Sequence, residues 1–439
     1  MASAEKANNV EDARSSESTD VVEHSRPVSK FTRWYRSPLF NVILVGLISF
    51  TQPGIWNALN NTGAGGQQEP YLVNGANSLT FGHATFPSHP PISTLTNPSI
   101  MVFGCSLFGI LANKIGIKTV LIIGTLGQLI GASIQLSLNV KTQQRGKVSY
   151  TTYLVLIALQ CLGLPLALLV SPPEKIIKPD GSKLNLRKKK TNTLKEEFSK
   201  SLALIKRKEM FLLIPIMVGF QWNSTYLGIY MAKYFSVRSR TLGSLTSGIA
   251  ATFANIFWGW FYDLKRFRRP TLAKACWFFF VILMLGTFGW QVNNEYVYAA
   301  SEPRVTLDWD LPGFGRGFAS MVILRFLNES HYMFVYWLIG AFFDDLETLT
   351  LAVGIMRSFE SLGSCIAFGI GAAKVTPMVN LVIAFAMFGL TIPATSWVVY
   401  LVPERPVHLR KEVEGETSEE EVSPVVVSKA AEAVDGPHP

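Results

Sequence analysis

Two pairs of oppositely charged residues stand inside apolar runs of this sequence: Arg325 with Glu329, four apart, and Arg357 with Glu360, three apart. Either spacing brings two side chains to one face of a helix. A charge at the centre of a membrane helix costs about 2.5–3.5 kcal/mol on insertion scales, so it needs a partner or water. Each pair therefore has two readings: it neutralises itself on its own helix, or it lines a polar cavity near the membrane midplane. Asn328 and His331 flank the first pair, and the cavity reading would give Glu329 or Glu360 a part in proton coupling. Gln221 and Asn223 lie in another apolar run and could face the same cavity. Asn57 leads into a glycine-rich stretch that ends at Gln67. Irregular backbone at that depth is tolerated only where protein or a water-filled cavity satisfies it. Asn57 and Gln67 are thus candidates for a gate or cavity wall, against the plainer reading of a helix-ending turn.

Catalytic patterns are missing from the sequence. There is no G-x-x-x-x-G-K-[ST] phosphate loop, no G-x-S-x-G elbow and no H-E-x-x-H helix, so the chain is expected not to be an enzyme and to carry no cofactor. Cys105, Cys161, Cys276 and Cys365 are far apart, each in an apolar stretch. That spacing suits neither a zinc site nor a disulfide framework; they are expected to pack as small hydrophobes. His83 and His89 lie near each other, but no cysteine or carboxylate converges on them, and no metal is assigned.

The elements that must position these groups are membrane helices. Of 439 residues, 49% are hydrophobic and only 16% charged, against about 25% charged in a soluble protein; the mean hydropathy is +0.26. The apolar residues form long blocks, which excludes a soluble globular domain, a disordered chain and a disulfide-stapled secreted domain. At about 20 residues per crossing, spans are predicted near 39–58, 98–115, 118–139, 150–170, 210–233, 242–262, 272–291, 316–341, 348–373 and 379–402. The reading is an all-α membrane protein with ten transmembrane helices. Residues 1–37 form a polar tail without a signal-peptide core, and 403–439 a second polar tail; both are expected to be disordered and cytoplasmic. The segment 79–97 holds Pro87, Pro90 and Pro91 and is read as an extramembrane insertion.

The net charge of +9 would suit a nucleic-acid partner if it were spread over a surface. Instead, residues 172–208 hold twelve Lys/Arg and four acids, the mark of a cytoplasmic loop between membrane spans. Lipid, not nucleic acid, is the partner this implies. Lys30, Arg33 and Arg36 place the N-terminus in the cytoplasm, and 59–97, with no Lys or Arg, on the opposite side. There Asn60-Asn61-Thr62 is expected to be an exposed glycosylation sequon, whereas Asn223-Ser-Thr falls within a span. Two groups break the charge rule: Lys141, Arg145 and Lys147, and Arg238 with Arg240, all fall outside.

Gly109, Asn113, Lys114, Gly116 and Lys118 join the second and third spans; Gly259, Asp263, Lys265 and Arg266 join the sixth and seventh. Each copy ends a helix with glycine, places an amide or carboxylate four residues on, and then supplies cations. Glycine permits close helix approach, the polar residue accepts from backbone N–H groups or a facing arginine, and the cations hold the turn in the cytoplasm. The pattern resembles the loop motif of the major facilitator superfamily, G-x-x-x-[DN]-[RK]-x-G-x-[RK], which follows the second and eighth of twelve helices. That superfamily implies a two-bundle fold with six helices on each side of the central loop. Here four spans precede the loop (38–171) and six follow it (209–402). The first bundle is therefore expected to lack two helices, the equivalents of four and five, near 140–149.

The string Pro53-Gly54-Ile55-Trp56-Asn57-Ala58-Leu59, followed by Gly63-Ala64-Gly65-Gly66-Gln67, resembles the fungal uncoordinated-93-like (Unc-93-like) branch of that superfamily. Pro172-Pro173 with Asp180-Gly181, Val237-Arg238-Ser239-Arg240, Phe326-Leu327-Asn328-Glu329 with Tyr336-Trp337, and Arg357-Ser358-Phe359-Glu360-Ser361 with Gly363 extend the resemblance along most of the chain. It implies a transporter-like fold with a solute site between the bundles, and no particular solute. The function expected is secondary transport of an unidentified small solute. The competing expectation is a non-transporting regulatory or trafficking subunit with a membrane-protein partner, since animal relatives are associated with channel regulation and receptor trafficking. A truncated gene product is the third.

Overall fold

A computed structural model describes residues 29–67, 69–85, 117–171, 175–177, 194–264, 266–301, 305–343 and 345–404. Every regular element among them is helical, apart from one isolated bridge between Phe235 and Leu307. The first helix of the first half is broken. After a short α1 (Lys30–Tyr35), α2 (Pro38–Ser49) starts at Ser37, whose hydroxyl accepts from Phe40 N–H, with Pro38 in the first turn where its missing N–H costs nothing. A π-turn over Phe50–Gly54 then widens the helix before α3 (Ile55–Asn61). Pro53 lies in that turn, and a proline inside a helix removes a ladder donor.

The remaining helices are α4 (Pro70–Thr85), α5 (Ile117–Asn139), α6 (Tyr150–Cys161) continuing into α7 (Gly163–Leu168), and α8 (Leu194–Ile205). The second half contains α9 (Lys208–Gly219), α10 (Trp222–Tyr234), α11 (Val237–Tyr262), α12 (Arg269–Ala299), α13 (Phe314–Phe342), α14 (Leu346–Ala372) and α15 (Pro377–Tyr400). Tyr150–Leu168, Arg269–Ala299, Thr348–Ala372 and Pro377–Tyr400 are long and apolar enough to cross a membrane. The chain is an all-α integral membrane protein.

Packing relates the two halves. In the second, α14 lies along the broken pair α9–α10 and reaches across to α4; in the first, α5 lies along the broken pair α2–α3 and reaches across to α11. One glycine seats each of these helices. A Cβ at Gly127 of α5 would overlap the Phe50 carbonyl at the break, and a Cβ at Gly363 of α14 would overlap the Val218 carbonyl just before the break between α9 and α10. By this correspondence α5 matches α14, and α4 matches α11. The helices α12 and α13 thus have no counterpart among the described residues of the first half. Residues 140–149 form the turn joining α5 to α6, as 373–376 joins α14 to α15; the stretch between α4 and α5, 86–116, lies outside the described residues.

Two further expectations change. The segment 59–97 was expected to be an outer loop, yet Pro70–Thr85 is a helix, and residues 79–85 of the expected insertion form its last turns. Hydropathy missed it because the face packed on α14 is polar: Asn74 and Asn77 are buried, and Ser78 donates to the Cys365 carbonyl at 2.8 Å. The span expected at 98–115 lies outside the described residues, as do His89, Gly109, Asn113, Lys114, Gly116 and Lys265. Lys118 falls in the first turn of α5, and Asp263 caps the C-terminus of α11. Among the described residues, a Cβ at Gly259 would meet nothing within 4 Å.

Candidate functional site

A polar cavity of about 80 Å³ lies between the halves. Side chains of α3 (Trp56, Asn57, Asn60, Asn61), α4 (Asn74) and α5 (Gln128) face Gln221 and Ser224 of α10, Arg325, Asn328, Glu329 and Tyr332 of α13, and Phe368 of α14. The broken helices explain the polarity. At the break the chain turns from α9 into α10 at Phe220–Gln221, and the amide of Gln221 is released towards the cavity.

The two charged pairs are built differently. Arg357 Nη1 lies 2.6 Å from Glu360 Oε2, and Glu360 Oε1 accepts from Tyr332 Oη at 2.8 Å and from Gln221 Nε2 at 3.3 Å. This knot ties α10, α13 and α14 together and leaves Glu360 saturated. Arg325 and Glu329 form no ion pair with each other. Arg325 Nη1 donates to Ser224 Oγ at 3.0 Å, its Nε is buried without an acceptor, and Asn74 Nδ2 is likewise unmatched. Glu329 makes no hydrogen bond or ion pair among the described residues although it lines the cavity. A buried carboxylate can be satisfied in this fold: Glu295 accepts from Tyr226 and Tyr234 at 3.3 and 2.9 Å.

At one end, beyond Asn60 and Asn61, the halves are tied by arginines. Arg240 is fully buried. It donates to four carbonyls of the opposite half: Thr62 at 2.9 Å, Gly146 at 2.8 Å, and Gly63 and Gln67 at 2.7 Å each. The planar five-donor guanidinium is the side chain whose geometry suits such a set. Gly63 has φ +84°, and a Cβ there would lie 2.8 Å from Gly228 O. The first N–H groups of α11, which have no partner within their own helix, also donate across the divide: Val237 to Gln144 O and Arg238 to Thr142 O, at 3.0 and 3.1 Å. Beside this latch Arg238 pairs with Asp308 and Asp310, and Asp308 also accepts from Ser236 and, at 3.0 Å, from Ser239. The Arg238 guanidinium, helped by those hydroxyls, holds the Asp308 carboxyl down to about 2.

Of the candidates read from sequence, Asn57, Gln221, Asn328 and Glu329 meet at the cavity. Asn223 donates to Asn328 at 3.5 Å from just behind it. Four lie elsewhere, Glu360 with Arg357 among them. Gln67 is part of the latch, its carbonyl on Arg240 and its amide on Tyr153 Oη at 2.9 Å. His331 is buried among Trp277, Phe280 and Phe388, with Nδ1 2.6 Å from Leu327 O; its position, six residues from Arg325, turns it to another face. Arg357 is held by Glu360 beside the Tyr332 and Tyr336 rings. The sequon at Asn60 is not exposed: Asn60 lines the cavity and Thr62 is fully buried.

The latch was missed as a site, though it left a signal. Arg238, Arg240 and Arg145 violate the charge rule for outer loops because they are not solvated loop charges. Arg240 is buried on carbonyls, Arg238 is ion-paired, and Arg145 donates to Lys233 O at 3.2 Å.

No protein-family model matches the chain. It is 29% identical to the notoamide biosynthesis cluster protein O' of Aspergillus versicolor over 422 residues, covering 84% of this chain and 90% of that one. It is 23% identical to UNC93-like protein 1 of Arabidopsis thaliana over 436 residues, covering 86% and 93%. With a UNC93-like protein of Schizosaccharomyces pombe it shares 24% identity over 388 residues, 76% of each chain. In the first two, the aligned positions outnumber the residues this chain contributes to them, so those relatives carry residues with no counterpart here. With these relatives matched along most of its length, the chain is similar to Unc-93-like membrane proteins.

Proposed function

We propose that this chain is a solute carrier, non-catalytic and built on the major facilitator plan, in which a central polar cavity is exposed to the two sides of the membrane in turn. One observation carries the reading. The cavity is walled by both halves, and beyond one end of it the halves are tied by hydrogen bonds that a rigid-body rotation could exchange. Membrane carriers of this plan hold their solute near the midplane between two such bundles. Arg240 on its four carbonyls is the latch of the closed side, which charge placement assigns to the non-cytoplasmic face, with both termini in the cytoplasm. A subunit that had lost transport would have no need to keep an amide-lined cavity with a carboxylate left unpaired in it, so the regulatory reading is the weaker one.

The test requires no knowledge of the solute. Ser224 lines the cavity, and Ser224→Cys offers a thiol there. In sealed vesicles of either orientation, a membrane-impermeant maleimide should label it from both faces, above the background of the unsubstituted chain. Labelling from one face alone under all conditions would contradict a carrier.

A further inference from the structure

The cavity's walls bear one basic and one acidic side chain, Arg325 and Glu329, that no ion pair joins. Arg325 is drawn to α10 by Ser224, with its Nε buried and unmatched, and Asn74 Nδ2 is a second unmatched donor of the same cavity wall. Glu329, one turn along α13, accepts nothing among the described residues. Four residues of separation sets their Cβ atoms about 5–6 Å apart, yet the two side chains do not close into an ion pair. The neighbouring Arg357–Glu360 pair, three apart, does close, at 2.6 Å.

Resting on the carrier reading above, we infer that the cavity takes a small zwitterion, its anionic group on Arg325 and Asn74 and its cationic group on Glu329. Net charge selects this class. The walls are neutral overall, so a lone anion or cation would leave one buried charge uncompensated, which is costly away from water. A neutral solute with separated charges supplies a charge-assisted hydrogen bond to each. Size limits it further. About 80 Å³ compares with roughly 10–15 Å³ of cavity needed to hold one water, so the solute has a handful of heavy atoms, the scale of glycine or alanine.

The experiment is ligand-dependent thermal unfolding of the purified full-length protein in detergent, with glycine and L-alanine as probes. Acetate, methylammonium and glucose serve as single-charge and uncharged comparisons. The amino acids should raise the unfolding temperature in a saturable way and the three comparisons should not. Arg325→Gln and Glu329→Gln should each weaken the effect at least tenfold, while Arg325→Lys and Glu329→Asp, which keep the charge, should restore it in part. Equal stabilisation by acetate, methylammonium or glucose would overturn the zwitterion, and so would amino-acid binding that survives both neutralising variants. A flat response to both amino acids would also overturn it. If Ser224→Cys still labels from both faces in that case, the carrier reading stands and only the solute class falls. If labelling is one-sided while alanine binds, the carrier reading falls and the site remains.

Discussion

Arg240 and Arg325 are both arginines without a carboxylate partner, and they are treated in opposite ways. Arg240 has four carbonyl acceptors within 2.9 Å and no access to solvent. Arg325 has one hydroxyl at 3.0 Å and an unmatched Nε, beside a carboxylate it does not touch. A buried guanidinium that is fully satisfied holds a structure in one arrangement; one that is partly satisfied is costly until something else arrives. On the proposed carrier reading, the contrast separates a latch, which holds one side closed until the halves move, from a binding site, whose groups wait for a ligand.

The largest effect that would break this contrast is at the latch. Arg240→Ala should remove the charged donor from four carbonyls, of which Gly63 O keeps the Gly66 N–H, and lower stability by about 3 kcal/mol or more, at roughly 1.5–3 kcal/mol for hydrogen bonds to charged groups, seen as an early thermal transition in detergent. Gly63→Ala strikes the same place through the backbone, since it must hold φ +84° and place a Cβ 2.8 Å from Gly228 O; about 1–3 kcal/mol is expected. By contrast, Arg325→Gln should leave the unfolding temperature of the unliganded protein within a few degrees of wild type, because the guanidinium gives up one hydrogen bond, to Ser224, where Arg240 gives up four. If it unfolds the protein as Arg240→Ala does, the distinction between latch and site is wrong.

A smaller effect follows from Asp308. Its folded-state value lies near 2, below the ordinary 3.8, so its contribution to stability is complete above about pH 4 and fades as pH falls towards 2. Unfolding temperature measured across that window should drop less steeply in Asp308→Asn than in wild type. The smallest is Gly259→Ala. Among the described residues a methyl there meets nothing within 4 Å, so the expected change is the helical preference, about 0.5–1 kcal/mol in favour of alanine; a loss of stability would support the close-approach role that the loop motif suggested.

Much of the second half could be read in the sequence because its helices α12, α14 and α15 are apolar enough to register against the 20-residue ruler. The helix α4 could not, since a helix that packs polar residues against α14 and the cavity does not look like a membrane span. The cavity was partly legible: Glu329, Gln221 and Asn57 stand out as polar residues in apolar runs. Asn74 and Gln128 did not, because their value depends on which helices cross. His331 was misplaced for a related reason. Proximity in sequence to Arg325 and Glu329 says nothing of face, and its ring sits among aromatics. The latch left a clue in the misplaced cations Arg238 and Arg240, but the carbonyls that bind Arg240 come from residues 62, 63, 67 and 146, and backbone acceptors leave no mark in sequence.

The central claim is that the Arg240 latch governs access to the cavity, and one comparison tests it most directly. Arg240→Lys keeps the charge but has three donors and no planar fork, so it should weaken the latch without removing it. Maleimide labelling of Ser224→Cys would be measured from each face of sealed vesicles with Arg240 and with Lys in its place. The account predicts that the lysine variant, still folded, raises labelling from the latch face relative to the opposite face. An unchanged ratio would contradict it and leave Arg240 as a structural tie with no part in access.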